Sequence, residues 1–254
     1  MSSKTDLTHR VALVTGAGVG IGRAIALALA EAGAFVGVHY HASETEAKDT
    51  LEAIRAAGSD GLLLRADLAG AAAATAIVDE LTAQTQRLDI LVNNAGDPLE
   101  RVKLEDCPMA VWEKSLALNL TGSFAVTQRA IPHLRASGNG AIINNLSLSV
   151  QTGGGGGAGP YAIAKGGLQV MTRTLARELA PEVRTNAIMP GVIETRHHER
   201  FTAPERMEQY KKETPLSRNG QAEEVAGAVV FLASDEARFI NGALLDINGG
   251  RFLR

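Results

Sequence analysis

Apolar residues come in short, nearly unbroken runs, each followed by a longer stretch with apolar positions at helical spacing. Residues 11–14, 35–38, 61–64, 90–92, 141–143, 184–188 and 243–246 read as strands. Stretches near 21–32, 43–57, 71–86, 109–136, 161–180 and 222–233 read as helices between them. Runs without polar alternation fit strands covered on both faces. The regular strand–helix alternation predicts an α/β fold: one doubly wound, parallel sheet of Rossmann type with helices on both faces. No linker breaks the pattern, so residues 1–254 are expected to form a single domain.

Composition narrows the function classes. Hydrophobic residues make up 45% of the chain, enough for a sizeable core, and the formal net charge of -3 gives no footprint for nucleic acid. Cys107 is the sole cysteine, which excludes an intramolecular disulfide and suits a reducing, cytoplasmic setting. No Cys/His cluster has zinc spacing, and the adjacent His197 and His198 would point different ways on a helix, so no metal is expected. No apolar run reaches the roughly 20 residues that cross a bilayer. The polar start, Met1 to His9, lacks a signal-peptide core.

Two polar or glycine-rich places stay open. Gly153 to Gly157 are five consecutive glycines, by composition a flexible linker. Arg196 to Glu213 carries Phe201, Met207 and Tyr210 at helical spacing, which fits either a solvated helix or a substrate lid near 192–214.

The candidate chemistry lies at strand ends. Thr15-Gly-Ala-Gly-Val-Gly-Ile-Gly22 follows a strand and opens a helix. Gly16, Gly20 and Gly22, with Val19 and Ile21 between, permit a tight turn and close approach of backbone to a pyrophosphate, with the helix N-terminus offering its N–H groups. The end of the second strand, where an acid would accept from an NAD ribose, reads Val38-His-Tyr-His-Ala-Ser43. Tyr40 takes the place of that acid, and His41 and Ser43 offer donors to a 2′-phosphate, so NADP(H) is expected over NAD(H). Downstream, Tyr161-Ala-Ile-Ala-Lys165 puts a phenol and an ammonium on one helix face.

With Asn93-Asn-Ala-Gly96, Asn119 and Ser147 between the turn and Tyr161, the chain resembles a short-chain dehydrogenase/reductase from about Arg10 to Gly250. The resemblance implies that Asp67, with Leu68, reads the adenine. It implies that Asn93, Ala95 and Gly96 border the ribose while Asn94 braces the sheet. Pro190, Gly191, Val192, Ile193 and Thr195 would hold the nicotinamide carboxamide. Tyr161 would move the proton, Ser147 would hold the substrate oxygen, Lys165 would bind the ribose, and the Asn119 carbonyl would support a water. Ser149 is a rival for Ser147, and the glycine run becomes a loop over the substrate.

At roughly 5 Å and an effective dielectric near 20, Lys165 would favour the phenolate by about 3 kcal/mol. That shift brings the tyrosine toward a pKa of about 7–8, fit for acid–base work. The resemblance is nearest to 3-oxoacyl-thioester reductases, with sugar or polyol dehydrogenases as the alternative. A catalytically silent cofactor-binding regulator is the reading from another class. Apolar and small residues on the 161–180 helix, among them Ala162, Ala164, Gly166 and Leu168, together with the resemblance, imply a homotetramer. The C-terminal segment from Arg251 would reach a neighbouring subunit's lid.

Overall fold

The structure, a computed structural model, describes residues 5–195 and 202–253. Its strands are β1 (Val11–Val14), β2 (Phe35–Tyr40), β3 (Gly61–Arg65), β4 (Ile90–Asn93), β5 (Gly140–Asn145), β6 (Val183–Pro190) and β7 (Leu244–Ile247). They form one parallel sheet in the order β3-β2-β1-β4-β5-β6-β7. The main helices are α1 (Gly20–Glu31), α2 (Glu44–Ala56), α3 (Ala71–Thr85), α4 (Met109–Leu116), α5 (Gly122–Ala136), α6 (Gly159–Glu178), α7 (Pro204–Glu213) and α8 (Ala222–Ala233).

The unbroken apolar runs have a direct structural cause. Every residue of β1, β4, β5 and β6 is buried, because helices cover both faces. Alternate side chains then sort into two cores. Val14, Val36, Val38 and Ile143 meet α1, α2 and α8, and Leu13, Leu91 and Ile142 meet α3, α5 and α6. The outer β7 is only partly covered.

One expected helix is interrupted. The stretch 109–136 is not continuous: Ala117–Thr121 forms a π-helical turn, and the Gly122 N–H bonds to the Ala117 carbonyl. Such turns insert one residue and often mark functional sites. Close packing accompanies this one, since a Cβ on Gly122 would lie 2.2 Å from the Leu68 carbonyl oxygen.

A buried polar ladder ties the catalytic-side helices to the sheet. β4 and β5 pair Asn93 with Asn144. Asn93 Nδ2 donates to Thr127 Oγ1 on α5 at 2.8 Å and to Asn144 Oδ1 at 2.9 Å. Asn144 Nδ2 donates to Thr172 Oγ1 on α6 at 2.9 Å, and that hydroxyl donates to Leu168 O at 2.8 Å. Low surrounding polarity makes each unmade bond costly. Asn144→Ala is therefore expected to lower unfolding stability by about 1–3 kcal/mol, measured by urea denaturation. An unchanged midpoint would show that the ladder contributes nothing net.

Candidate active site

The strand order reverses between β1 and β4, so the connections leaving their C-terminal ends part and open a crevice. A cavity of about 800 Å³ lies there. Its floor at one end is the glycine turn. Gly16 (φ +66°) and Gly20 (φ +55°) hold left-handed backbone, and a Cβ on Gly22 would lie 2.1 Å from the Gly16 carbonyl oxygen. The entry to α1 carries no side-chain cap and no acid in its first turn. Its first N–H groups thus have no side-chain acceptor there and sit beside the cavity, as a dinucleotide pyrophosphate requires.

Neighbouring strands brace this turn. Thr15 Oγ1 accepts from the Asn94 and Ala95 N–H groups at 2.9 and 3.0 Å, and Asn94 Nδ2 donates to Thr15 O at 2.8 Å. His39, buried on β2, accepts the Gly16 N–H at Nδ1 (3.0 Å). Its other nitrogen, 3.2 Å from the Ala66 carbonyl, then carries the ring proton and donates to it. Burial holds the imidazole neutral, with its pKa lowered to about 4.

Most residues expected at the cofactor do line the cavity. They are Gly16, Val19, Gly20, Ile21, Gly22, His41, Asp67, Leu68, Ala95, Gly96, the segment 190–193, and Thr195. Three do not. Strand alternation sends Tyr40, with Val36 and Val38, into the apolar core on the opposite face from His39. Ser43 lies under the turn instead, its Oγ 2.7 Å from where a Gly18 Cβ would sit. Asn93 faces the α5–α6 layer and braces it instead of bordering the cavity, whereas Asn94 braces as expected, tying the glycine turn to the ends of β1 and β5, and lines the cavity as well.

At the other end Tyr161, Lys165 and Ser147 come together. Lys165 is 2% exposed, its Nζ 5.8 Å from the Tyr161 ring centre and donating to the Asn145 carbonyl at 2.7 Å. Burial lowers its pKa to about 8, so it remains a cation at neutral pH. Tyr161 is partly open to the cavity yet crowded by protein, and desolvation raises its pKa to about 12. A hydrogen bond with Ser147 opposes the rise and the Asp97 charge adds to it. The expected fall to about 7–8 is not what this environment produces, because desolvation outweighs the Ser147 hydrogen bond.

Ser147 Oγ accepts the Ser149 N–H at 3.1 Å, while the buried Ser149 hydroxyl has no partner among the described residues. Asn119 sits in the π-helical turn, fully buried rather than lining the cavity. Its Oδ1 accepts the Asp97 N–H at 3.0 Å, and its Nδ2 donates to the Asp97 and Ser115 carbonyls at 2.9 and 3.0 Å. The glycine run is a built turn. Gly153, Gly154, Gly156 and Gly157 all hold positive φ, and a Cβ on Gly157 would lie 2.8 Å from the Val102 nitrogen. Gly154, Gly155 and Gly156 line the cavity beside Tyr161.

His39, Asn145, Asp97 and Arg101, which were not among the expected site residues, also border the cavity, together with Arg206 and Tyr210 from the stretch read as a solvated helix or lid, and Arg251. Only the repeated Asn-Asn at the ends of β4 and β5 carried a local signal. Arg251 docks on its own chain, between Tyr210 and Glu213. Arg196, His197, His198, Arg200 and Phe201 lie outside the described residues. Among the described residues no His, Cys, Asp and Glu group could hold a metal, and no helix is long and apolar enough to cross a membrane.

The fold and this cavity define a dinucleotide-binding oxidoreductase. A family model described as enoyl-(acyl carrier protein) reductase matches residues 16–251. The chain is 39% identical over 247 residues to the 3-oxoacyl-(acyl-carrier-protein) reductase FabG of Staphylococcus aureus, covering 95% of this chain and 98% of that relative. A short chain dehydrogenase from Burkholderia cenocepacia, solved in complex with NADP, matches with TM-score 0.90 at 32% identity, over 97% of this chain and 99% of that one. A 7α-hydroxysteroid dehydrogenase complexed with NADH and a 7-oxo bile acid matches with TM-score 0.92 at 30% identity, over 98% of each chain. The chain belongs to the short-chain dehydrogenase/reductase family.

His39 sets a pH dependence. Its folded pKa of about 4 lies below the ordinary 6.5. Between those values the unfolded chain binds a proton that the folded chain refuses, so the stabilisation is complete above pH 6.5 and is lost as pH falls toward 4. His39→Asn is expected to reduce the stability lost between pH 7 and 4.5 by about 2–3 kcal/mol. Denaturant midpoints across that range check this; parallel wild-type and variant curves would contradict it.

Proposed function

We propose that the protein is an NADP(H)-dependent carbonyl reductase that interconverts a 3-oxoacyl-type ketone and its secondary alcohol. The carrying observation is the Ser147–Tyr161 hydrogen bond beside the buried Lys165 ammonium, at the end of a cavity floored by the glycine turn. The glycine turn and residues 190–195 would hold a dinucleotide, which would supply hydride to the substrate carbon or take it up. Ser147 donates to the carbonyl oxygen and polarises it. Tyr161, protonated through neutral pH, delivers its proton to that oxygen, which suits the reducing direction. Lys165 stabilises the phenolate left behind, and Asn119 braces the Asp97 backbone across the site. The intact set supports turnover over a silent regulatory role. The matched Staphylococcus aureus relative, named for 3-oxoacyl reduction, supports the substrate type.

NADP(H) rests on the absence of a carboxylate at the end of β2 and on His41, which lines the cavity there. Because Tyr40 points into the core, an Asp at that position would not face the cofactor. A sugar-derived substrate is the second reading. It is favoured by Asp97 in the cavity wall and by likeness to an NADH-dependent reductase responsible for alginate metabolism, at TM-score 0.90 and 34% identity. α7 carries Arg206 and Tyr210 to the cavity, which supports a lid within one domain.

A cytoplasmic homotetramer completes the reading. Ala162, Ala164 and Leu168 are buried within their own subunit and leave no free surface. The support comes instead from Phe124, Ile163 and Val170 on α5 and α6, at 49%, 43% and 62% exposure. Light scattering should report about four times the 26.6 kDa chain mass; a monomer would refute the assembly.

Tyr161→Phe is expected to lower turnover of a 3-oxoacyl thioester at least about a hundredfold, with cofactor affinity within a few-fold. Ser147→Ala should cost more than Ser149→Ala. Equal losses from both serines, or near-normal activity in the phenylalanine variant, would remove the assigned roles. Cofactor choice is read by titrating NADPH and NADH on their own fluorescence. NADPH is expected to bind more tightly, and clearly tighter NADH binding would reverse the assignment.

A further inference from the structure

The cavity that holds Tyr161 is also lined by three guanidinium groups, Arg101, Arg206 and Arg251. Arg206 and Arg251 both lie over the Tyr210 ring, at 4.5 and 4.4 Å from its centre. Both reach one acid, Glu213, and Arg251 also donates to the Tyr210 carbonyl at 3.3 Å. Two cations sharing one carboxylate leave a net positive charge at this wall. The Arg251 side chain is only 15% exposed, so its charge is held in place rather than free in solvent. Planar arginines stacked on an aromatic face lose little freedom on binding an oxyanion.

Arg101 stands apart from that cluster. It has no carboxylate partner among the described residues, and its hydrogen bond is a long one, 3.4 Å, to the Gly156 carbonyl of the glycine turn. Asp97, four residues earlier, also lines the cavity and acts on Tyr161 by its charge. An anionic group placed beside the reacting carbon would be repelled by Asp97, and the arginines offer the same group compensation. Repulsion at one end and attraction at the other orient a substrate.

We propose that Arg101 and the Tyr210-stacked Arg206–Arg251 pair bind an oxyanion of the substrate, a carboxylate or a phosphate remote from the reacting carbonyl. The proposal rests on the carbonyl-reductase reading and sharpens its substrate class. Charge-assisted bonds to such a group separate anionic from neutral substrates.

Two matched pairs test it by steady-state reduction with NADPH. One pair sets oxo-carboxylates of increasing length against their methyl esters. The other sets a coenzyme A thioester against the N-acetylcysteamine thioester, which lacks phosphate. The anionic member of one pair should have kcat/KM at least about tenfold higher, carried by KM, and Arg101→Gln should erase about tenfold of that ratio. Arg251→Gln should do the same. The pair that responds identifies carboxylate or phosphate as the source. Ratios near one in both pairs, or variants that lower both members equally, would overturn the proposal. Calorimetry with glutarate and with pantetheine phosphate reads the rim without chemistry. Affinity that Arg101→Gln abolishes supports the rim even if no carbonyl turns over, an outcome that would sink the reductase reading alone. Absence of binding by both ligands would count against the rim.

Discussion

The buried ammonium of Lys165 is the constraint around which the site is organised. A cation at 2% exposure must be compensated, and the Asn145 carbonyl at 2.7 Å is the acceptor that does so. That carbonyl is available because Asn145 ends β5 at the crevice, where the sheet stops and α6 passes over it. Tyr161 stands one turn earlier on α6 and inherits its position from the lysine. The tyrosine, the lysine and the strand end are therefore one unit, and whatever holds α6 to β5 holds the chemistry.

The Thr127–Asn93–Asn144–Thr172 ladder provides that hold within a layer otherwise packed by apolar contacts. Apolar packing tolerates small slides, whereas a directed hydrogen-bond chain sets register. On the cofactor side the same logic recurs: Asn94 and Thr15 lock the glycine turn to the segment after β4, and neutral His39 locks it to β2. The cavity thus lies between two polar clamps attached to one rigid sheet. The parts left to vary, the glycine turn after Ser147, the segment carrying Arg101, and α7, surround the substrate end.

Much of this was legible along the chain. The seven strands were readable because burial on both faces removes polar alternation, and the glycine turn because a tight backbone approach admits no side chain. Tyr161 and Lys165 were readable because their spacing is a property of any helix. Side-chain direction at strand ends was less legible. Position suggests Tyr40 for the cofactor and the resemblance suggests Asn93, yet a period of two turns Tyr40 into the core under α1 and α2 and Asn93 toward α5. The pKa of Tyr161 is not legible along the chain, because desolvation depends on every neighbour and not on Lys165 alone.

By itself the sequence determined the strand–helix order, the two faces of the sheet, the glycine turn and the order of Ser147, Tyr161 and Lys165. Each of these follows from local periodicity or backbone sterics, which act over a few residues. Tertiary structure decided that Asn93 is kept out of the cavity while Asn94 lines it, that five glycines form a defined turn, and that Arg101, Arg206 and Arg251 line one cavity with Tyr161. Those arginines lie 105 and 45 residues apart along the chain, and no local pattern links them; only the parallel sheet, by bringing the C-terminal ends of its strands to one edge, sets them around a single cavity.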